Sequence, residues 1–221
     1  MNLNKHQEFF NPVEKINKEI HIIGCGAIGS YVALQLAKLG CTDLNLWDFD
    51  TVEPHNITNQ VYTKEDVAKT KLQALNQHLK NNNPDITIKL RGMYTCTVPL
   101  RGYVFCCVDN IETRKNIYMF NEYNPMIELL IDGRIGLEQG QVYTTKWQDH
   151  EQVENLIQLS DFKHDEVKNK TSACGTTLSV SPTVLITVSN MISCFINYVN
   201  KKQIPKIIYI DAFAYKTKPV F

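Results

Sequence analysis

The chain has 221 residues, 23 basic and 23 acidic side chains and a formal net charge of zero. That length suits one domain with a full core, and 43% hydrophobic against 21% charged residues excludes a long disordered or fibrous chain. The neutral balance argues against a nucleic-acid partner held by a general positive field. The opening stretch MNLNKHQEFF has no apolar core of a signal peptide. The longest apolar stretch, Thr183 to Val199, is interrupted by Ser189, Asn190, Ser193 and Asn197, so it reads as a buried helix and not a membrane span. Seven cysteines, an odd number, fit reduced thiols in the cytoplasm.

In chain order, Glu19 to Ile23 reads as a short apolar strand running into Gly24-Cys25-Gly26-Ala27-Ile28-Gly29-Ser30. Tyr31 to Leu39 has helical spacing and ends at Gly40, which suits a C-terminal cap. Asp43 to Asp48 is a second strand, Lys71 to Lys80 a helix stopped by Asn81 to Pro84, and Ile86 to Leu90 a third strand. Tyr103 to Val108 reads as a buried strand with Asp109 at its carboxyl end, followed by a helix over Ile111 to Phe120. Strands are expected at Ile127 to Ile131 and Gln141 to Trp147, a helix over most of Thr176 to Val199, and closing strands at Ile207 to Ile210 and Ala212 to Tyr215. The alternation predicts an α/β fold, a Rossmann-like mixed sheet, mostly parallel, with helices on both faces. One domain over 1–221 is expected. The polar stretch 148–174 breaks the pattern and is an insert that carries function or a short helix.

Gly24-x-Gly26-x-x-Gly29 follows a strand and opens a helix. Glycines there allow a tight turn and close approach of backbone to a phosphate, and a helix N-terminus offers free N–H groups. Asp48, at the end of the next strand, stands where an acid meets ribose hydroxyls. This pattern alone does not separate NAD, FAD and ATP, and a glycine turn needed only for packing is the bland alternative. The stretch WDFDTVEPHNITNQVY adds Asp50, Asn56, Asn59 and Gln60, and Lys71 opens the following helix. Farther on stand Cys107-Val108-Asp109-Asn110 and Arg114. A dehydrogenase would leave Asn56, Lys71 and Asp109 without work. Each residue also has a structural alternative: Asp50 as a loop brace, Asn110 as a helix cap, His55 as a loop residue.

The order G-x-G-x-x-G-S, D-x-D-x-V-E-x-x-N-x-x-x-Q, K, C-x-D-N-x-x-x-R resembles the ThiF/MoeB/HesA family, bacterial relatives of the ubiquitin-activating enzymes. The resemblance runs from about Glu19 to Gly140. It implies an adenylyltransferase that uses ATP and magnesium to activate the C-terminal carboxylate of a ubiquitin-like or sulfur-carrier protein ending in glycine, working as a homodimer. A peptide or tRNA acceptor, or a non-catalytic nucleotide-binding module, are the alternatives. The resemblance further implies that Gly24, Gly26, Ala27 and Gly29 cradle phosphates and that Asp48 and Asp50 line the nucleotide site with Asn59 and Gln60. Asn56 and Lys71 contact the phosphates, Asp109 holds magnesium, and Arg114 braces the loop around Asp109. Cys174, before a helix, is a candidate thioester or persulfide cysteine or a packing residue.

Three departures from the family pattern stand out. Asn59 occupies the place of an arginine, and no arginine precedes Arg91. The expected replacements are lysines, first Lys15 or Lys18 of the N-terminal segment, with Lys64 and Lys69 as further candidates. No C-x-x-C pair occurs, which argues against a structural zinc.

Overall fold

A computed structural model gives the fold, described for residues 1–161 and 178–221. A single turn, α1 (Pro12–Lys15), is capped by Asn11 and leads into β1 (Ile20–Ile23). Then come α2 (Ala27–Lys38), β2 (Asp43–Trp47), α3 (Lys71–Asn82), β3 (Thr87–Leu90), β4 (Gly102–Cys106) and α4 (Ile111–Asn121). The second half holds β5 (Ile127–Ile135), β6 (Gln139–Lys146), α5 (His150–Asp161), α6 (Ser181–Val199), β7 (Ile207–Asp211) and β8 (Lys216–Val220). Two short 3-10 turns, Pro54–Thr58 and Lys64–Asp66, lie between β2 and α3.

One eight-stranded sheet results, ordered β3-β2-β1-β4-β5-β6-β7-β8. The first five strands in that order are parallel, and β6, β7 and β8 join as antiparallel neighbours. The chain leaves β1 outward to β2 and β3, then returns to lay β4 against the other side of β1. That reversal makes the gap between β1 and β4 a topological switch point, where open α/β sheets place their ligands.

Burial follows the strand alternation. One face of the sheet packs Ile22, Leu44, Phe105 and Ile131 against Val32 and Leu36 of α2, Leu75 of α3, and Val188 and Phe195 of α6. The other face packs Ile23, Val104 and Leu130 against Ile117 and Tyr118 of α4 and Val153 and Leu156 of α5. Helices on both faces are what a parallel sheet needs to keep both sides dry. By length and composition α6 is apolar enough to cross a membrane. Its Val184, Val188, Met191 and Phe195 face is nevertheless buried in the protein core.

One sequence expectation changes at the end of the chain. Ala212 to Tyr215 is a turn and not a strand: the Ala214 N–H donates to Asp211 Oδ1 at 2.9 Å, and Tyr215 takes φ +56°. The closing strand begins after it, at Lys216, and is exposed at every position, so no apolar alternation marks it. The polar insert contributes α5 over its first half, whose apolar side covers the sheet. Cys174 lies outside the described residues.

Candidate functional site

The loop after β1 is fixed from three sides. The Gly24 N–H donates to the Trp47 carbonyl at 2.8 Å, and Gly24 takes φ +87°. A Cβ on Gly24 would sit 2.8 Å from the Cys107 carbonyl oxygen, and one on Gly29 would sit 1.8 Å from the Gly24 carbonyl oxygen. Both glycines are thus required by backbone packing. Gly26 differs, because a Cβ there would meet nothing within 4 Å. It is the N-cap of α2 and makes no side-chain cap, so the helix opens into the crevice with Ala27 first. The last glycine of the set serves the fold, and the middle one leaves room for a ligand.

Asp48 ties this loop to the exit of β2. Its Oδ2 accepts the Cys25 N–H at 2.6 Å and its Oδ1 accepts the Asp50 N–H at 2.8 Å. The residue is buried, and each carboxylate oxygen keeps lone-pair capacity beyond these two backbone donors. Cys25 beneath it is fully buried, and burial pushes its thiol well above the ordinary range. Tyr62 closes the floor by donating its hydroxyl to the Cys25 carbonyl at 2.7 Å, and burial likewise raises its phenol.

Lys71 is positioned by backbone before its side chain acts. Val52 N–H donates to Lys69 carbonyl and Lys71 N–H to Asp50 carbonyl, each at 2.9 Å, pinning the start of α3 to the loop after β2. Thr70 caps the helix through the Gln73 N–H at 3.2 Å. The Lys71 side chain is only 9% exposed, and its Nζ lies 2.7 Å from Asp50 Oδ2. Asp50 is itself half-exposed, so the brace and the ligand-lining alternatives for it coincide in one residue. Asn56 is buried in the 3-10 turn, where its Oδ1 accepts the Glu53 N–H at 2.9 Å. Asn59 donates through Nδ2 to the Ser179 hydroxyl, joining this turn to the start of α6. The Gln60 side-chain carbonyl oxygen is enclosed without a partner.

Across the switch point, Asp109 is exposed and Asn110 caps α4 by accepting the Thr113 N–H at 3.0 Å. Arg114 is buried and reaches back to the Val108 carbonyl, immediately before Asp109, and to the Gly133 carbonyl at 3.0 Å. It therefore braces the loop that presents Asp109. Its charge partner is Asp132 of β5, fully buried, which also accepts from Tyr118 at 2.8 Å and from Arg134 at 2.7 Å. Nothing in the spacing of the sequence marked Asp132 or Arg134. The register of Asp132 opposite Cys106 on the neighbouring strand, with Arg134 two residues beyond, is what brings them to the site.

The N-terminal lysines go elsewhere. Lys15 Nζ bonds Asn200, and Lys18 pairs with Glu128. Lys18, with Arg101 and Gly102, lines a groove of about 900 Å³ at the amino ends of the strands, at the opposite end of the sheet from the glycine loop. Within the chain the two lysines cannot replace the missing arginines, because a strand length separates them from the crevice. Lys69 is engaged with Asp66 at 3.1 Å.

Magnesium fits this arrangement in one way. Among the described residues no group of three or more His, Cys, Asp or Glu lies together, so no all-protein cage is present. A single carboxylate such as Asp109 beside a phosphate-binding loop suits magnesium, which is commonly held by one or two carboxylates plus substrate phosphates.

The comparisons with known proteins fit this geometry. The sulfur carrier protein ThiS adenylyltransferase of Escherichia coli (strain K12) is 35% identical over 109 residues, covering 46% of this chain and 43% of the relative. Ubiquitin-like modifier-activating enzyme 5 of Arabidopsis thaliana is 32% identical over 117 residues, covering 43% of this chain and 27% of the relative. The chain thus spans less than half the length of these curated relatives. Among solved structures, E. coli MccB with MccA superposes with a TM-score of 0.77 at 20% identity, covering 97% of this chain and 68% of that one. E. coli MccB with ATP gives 0.75 at the same identity and coverage. The ThiF family model matches residues 12–218, and the chain belongs to the ThiF family.

Proposed function

We propose that the protein uses ATP and magnesium to activate a carboxylate as an acyl-adenylate. The observation that carries this reading is the pairing of two elements across one switch point. On one side a buried Lys71 stands beside the open helix start at Gly26. On the other, Asp109 stands exposed on a loop that Arg114 braces. A nicotinamide site would need neither the lysine nor the second acid.

The chain's own residues have separable tasks. The N–H groups at the start of α2 and the positive end of its dipole receive phosphate oxygens. Lys71, held by Asp50, adds a fixed positive charge. Asp48 offers its free lone pairs to ribose hydroxyls. Asp109 holds magnesium against the phosphates, and the bound ion offsets charge on the triphosphate. Together these hold the α-phosphorus and the incoming carboxylate oxygen in line, which lowers the barrier through orientation and charge stabilisation rather than acid–base chemistry. Pyrophosphate leaves as the carboxylate–phosphorus bond forms.

The names of the relatives support a small carrier protein ending in glycine as the acceptor, and the likeness to MccB with MccA supports a peptide as the second reading. In this reading the protein works in the cytoplasm as a homodimer. The test is ATP–pyrophosphate exchange with a Gly-Gly-ended carrier. Asp109→Ala should lose exchange by at least about a hundredfold, as loss of an electrostatic group at the reacting centre does. It should keep its melting temperature, because Asp109 is exposed. Undiminished exchange in that variant would remove Asp109 from the reaction.

A further inference from the structure

At the carboxyl ends of β4 and β5 two guanidinium groups share one carboxylate. Asp132 is fully buried and receives Arg114, the Arg134 Nε at 2.7 Å and the Tyr118 hydroxyl at 2.8 Å. Burial keeps the Tyr118 phenol protonated, so it adds a donor and no charge. Two cations and one anion leave a surplus positive charge, and such a surplus out of water is costly unless an anion repays it.

The surplus sits on Arg134. Arg114 spends its nitrogens on Asp132 and on the Val108 and Gly133 carbonyls. Arg134 donates Nε to Asp132 and lies beside the Tyr118 hydroxyl. It lies over the Tyr143 ring with 4.4 Å to the centroid, its side chain is 14% exposed, and one terminal nitrogen is enclosed without a partner. The ring below and a carboxylate on one side hold the group and leave one terminal nitrogen of its fork without a partner. Such a fork matches the two oxygens of a phosphoryl or carboxylate group. Arg134 follows Asp132 by two residues, and Asp132 pairs in register with Cys106, so Arg134 stands past the end of β4 where the chain turns to Asp109.

We propose that Arg134 is a binding residue for an oxyanion of the reaction and supplies the cation that the family pattern leads one to expect from arginines this chain lacks. The inference rests on the adenylation reading above. The oxyanion has two sources, the nucleotide's phosphates or the acceptor's carboxylate. The nucleotide is favoured, because its triphosphate carries more negative charge than Lys71 alone offsets and Lys15 and Lys18 are engaged with Asn200 and Glu128.

The experiment is calorimetric titration of the full chain with magnesium and a non-hydrolysable ATP analogue, then with adenosine, then with acetyl-glycyl-glycine added to the analogue-saturated protein. Arg134→Gln should weaken the analogue by about tenfold, the effect of one fixed cation partly open to water, and leave adenosine unchanged. Arg134→Lys keeps the charge and loses the fork. It should weaken the analogue by about threefold and decides the matter if the Gln variant does not fold. If the analogue binds normally and only acetyl-glycyl-glycine is lost, the oxyanion is the acceptor's carboxylate and the role stands. Equal weakening of analogue and adenosine would make Arg134 a packing residue, and unchanged binding of both analogue and peptide would overturn the proposal. A wild-type protein that does not bind the analogue would instead sink the adenylation reading itself.

Discussion

Lys71 shows how much a single position can be read from sequence. Its place at the start of a helix, after Asp48 and Asp50, pointed to the crevice, and the structure puts it there buried and paired. For Asn56 the family resemblance implied a phosphate contact; its side-chain oxygen accepts the Glu53 N–H, which leaves its amide N–H group as the donor for a ligand. Asp132 and Arg134 were not legible, since a carboxylate and a guanidinium two residues apart on a strand announce nothing until the register with β4 is known. His21 was missed for the same reason. It is buried on β1, where Trp47 Nε1 donates to its Nδ1 at 3.1 Å, so the ring is the neutral tautomer with its proton on Nε2. Burial lowers its pKa from 6.5 to about 4. The unfolded chain therefore takes up a proton in a range where the folded chain does not. The contribution is intact above about pH 6.5 and is lost as pH falls toward 4, by up to about 3 kcal/mol. Urea unfolding at pH 7.5 and pH 5 should show this loss, and His21→Gln should flatten it. An unchanged slope in that variant would assign the acid sensitivity to other groups.

At the scale of elements, the loop–helix unit of β1 and α2 was clear, because three glycines between a strand and an amphipathic run have few other uses. The helix begins four residues earlier than its apolar spacing indicated, since the glycine loop itself provides the first turn. The 3-10 turns at Pro54–Thr58 and Lys64–Asp66 were invisible. They are held by side-chain caps, Glu53 with Asn56 and Thr63 with Asp66, which carry no periodicity. The geometry separates the glycines by role. Gly29→Ala forces a Cβ into the Gly24 carbonyl and should cost about 2 kcal/mol or more in stability, as overpacking against backbone does. Gly26→Ala meets no neighbour, so it should cost less than about 1 kcal/mol while weakening nucleotide binding at least about tenfold. Thermal melts beside nucleotide titration check both. Equal melting temperatures for the two variants would contradict the division of labour.

At the scale of the whole molecule, the parallel half of the sheet was readable because each βα unit repeats the same signal. The antiparallel half was less so, and β8 least, since an exposed edge strand reading Lys-Thr-Lys-Pro-Val has no buried face to pattern it. Within one chain the N-terminal segment enters β1 from its amino end, so Lys15, bonded to Asn200, and Lys18, paired with Glu128, lie at the end of the sheet opposite the crevice. The same topology puts Gly26, Asp48, Lys71 and Asp109 around one switch point, the crevice proposed above to take magnesium-ATP. Calorimetric titration of the wild-type chain with magnesium-ATP and, separately, with NAD tests that proposal most directly. Saturable binding of magnesium-ATP, lost in Lys71→Met and at least about tenfold tighter than NAD, is the result the charge arrangement predicts. Tighter binding of NAD than of magnesium-ATP, or magnesium-ATP binding untouched in Lys71→Met, would contradict it.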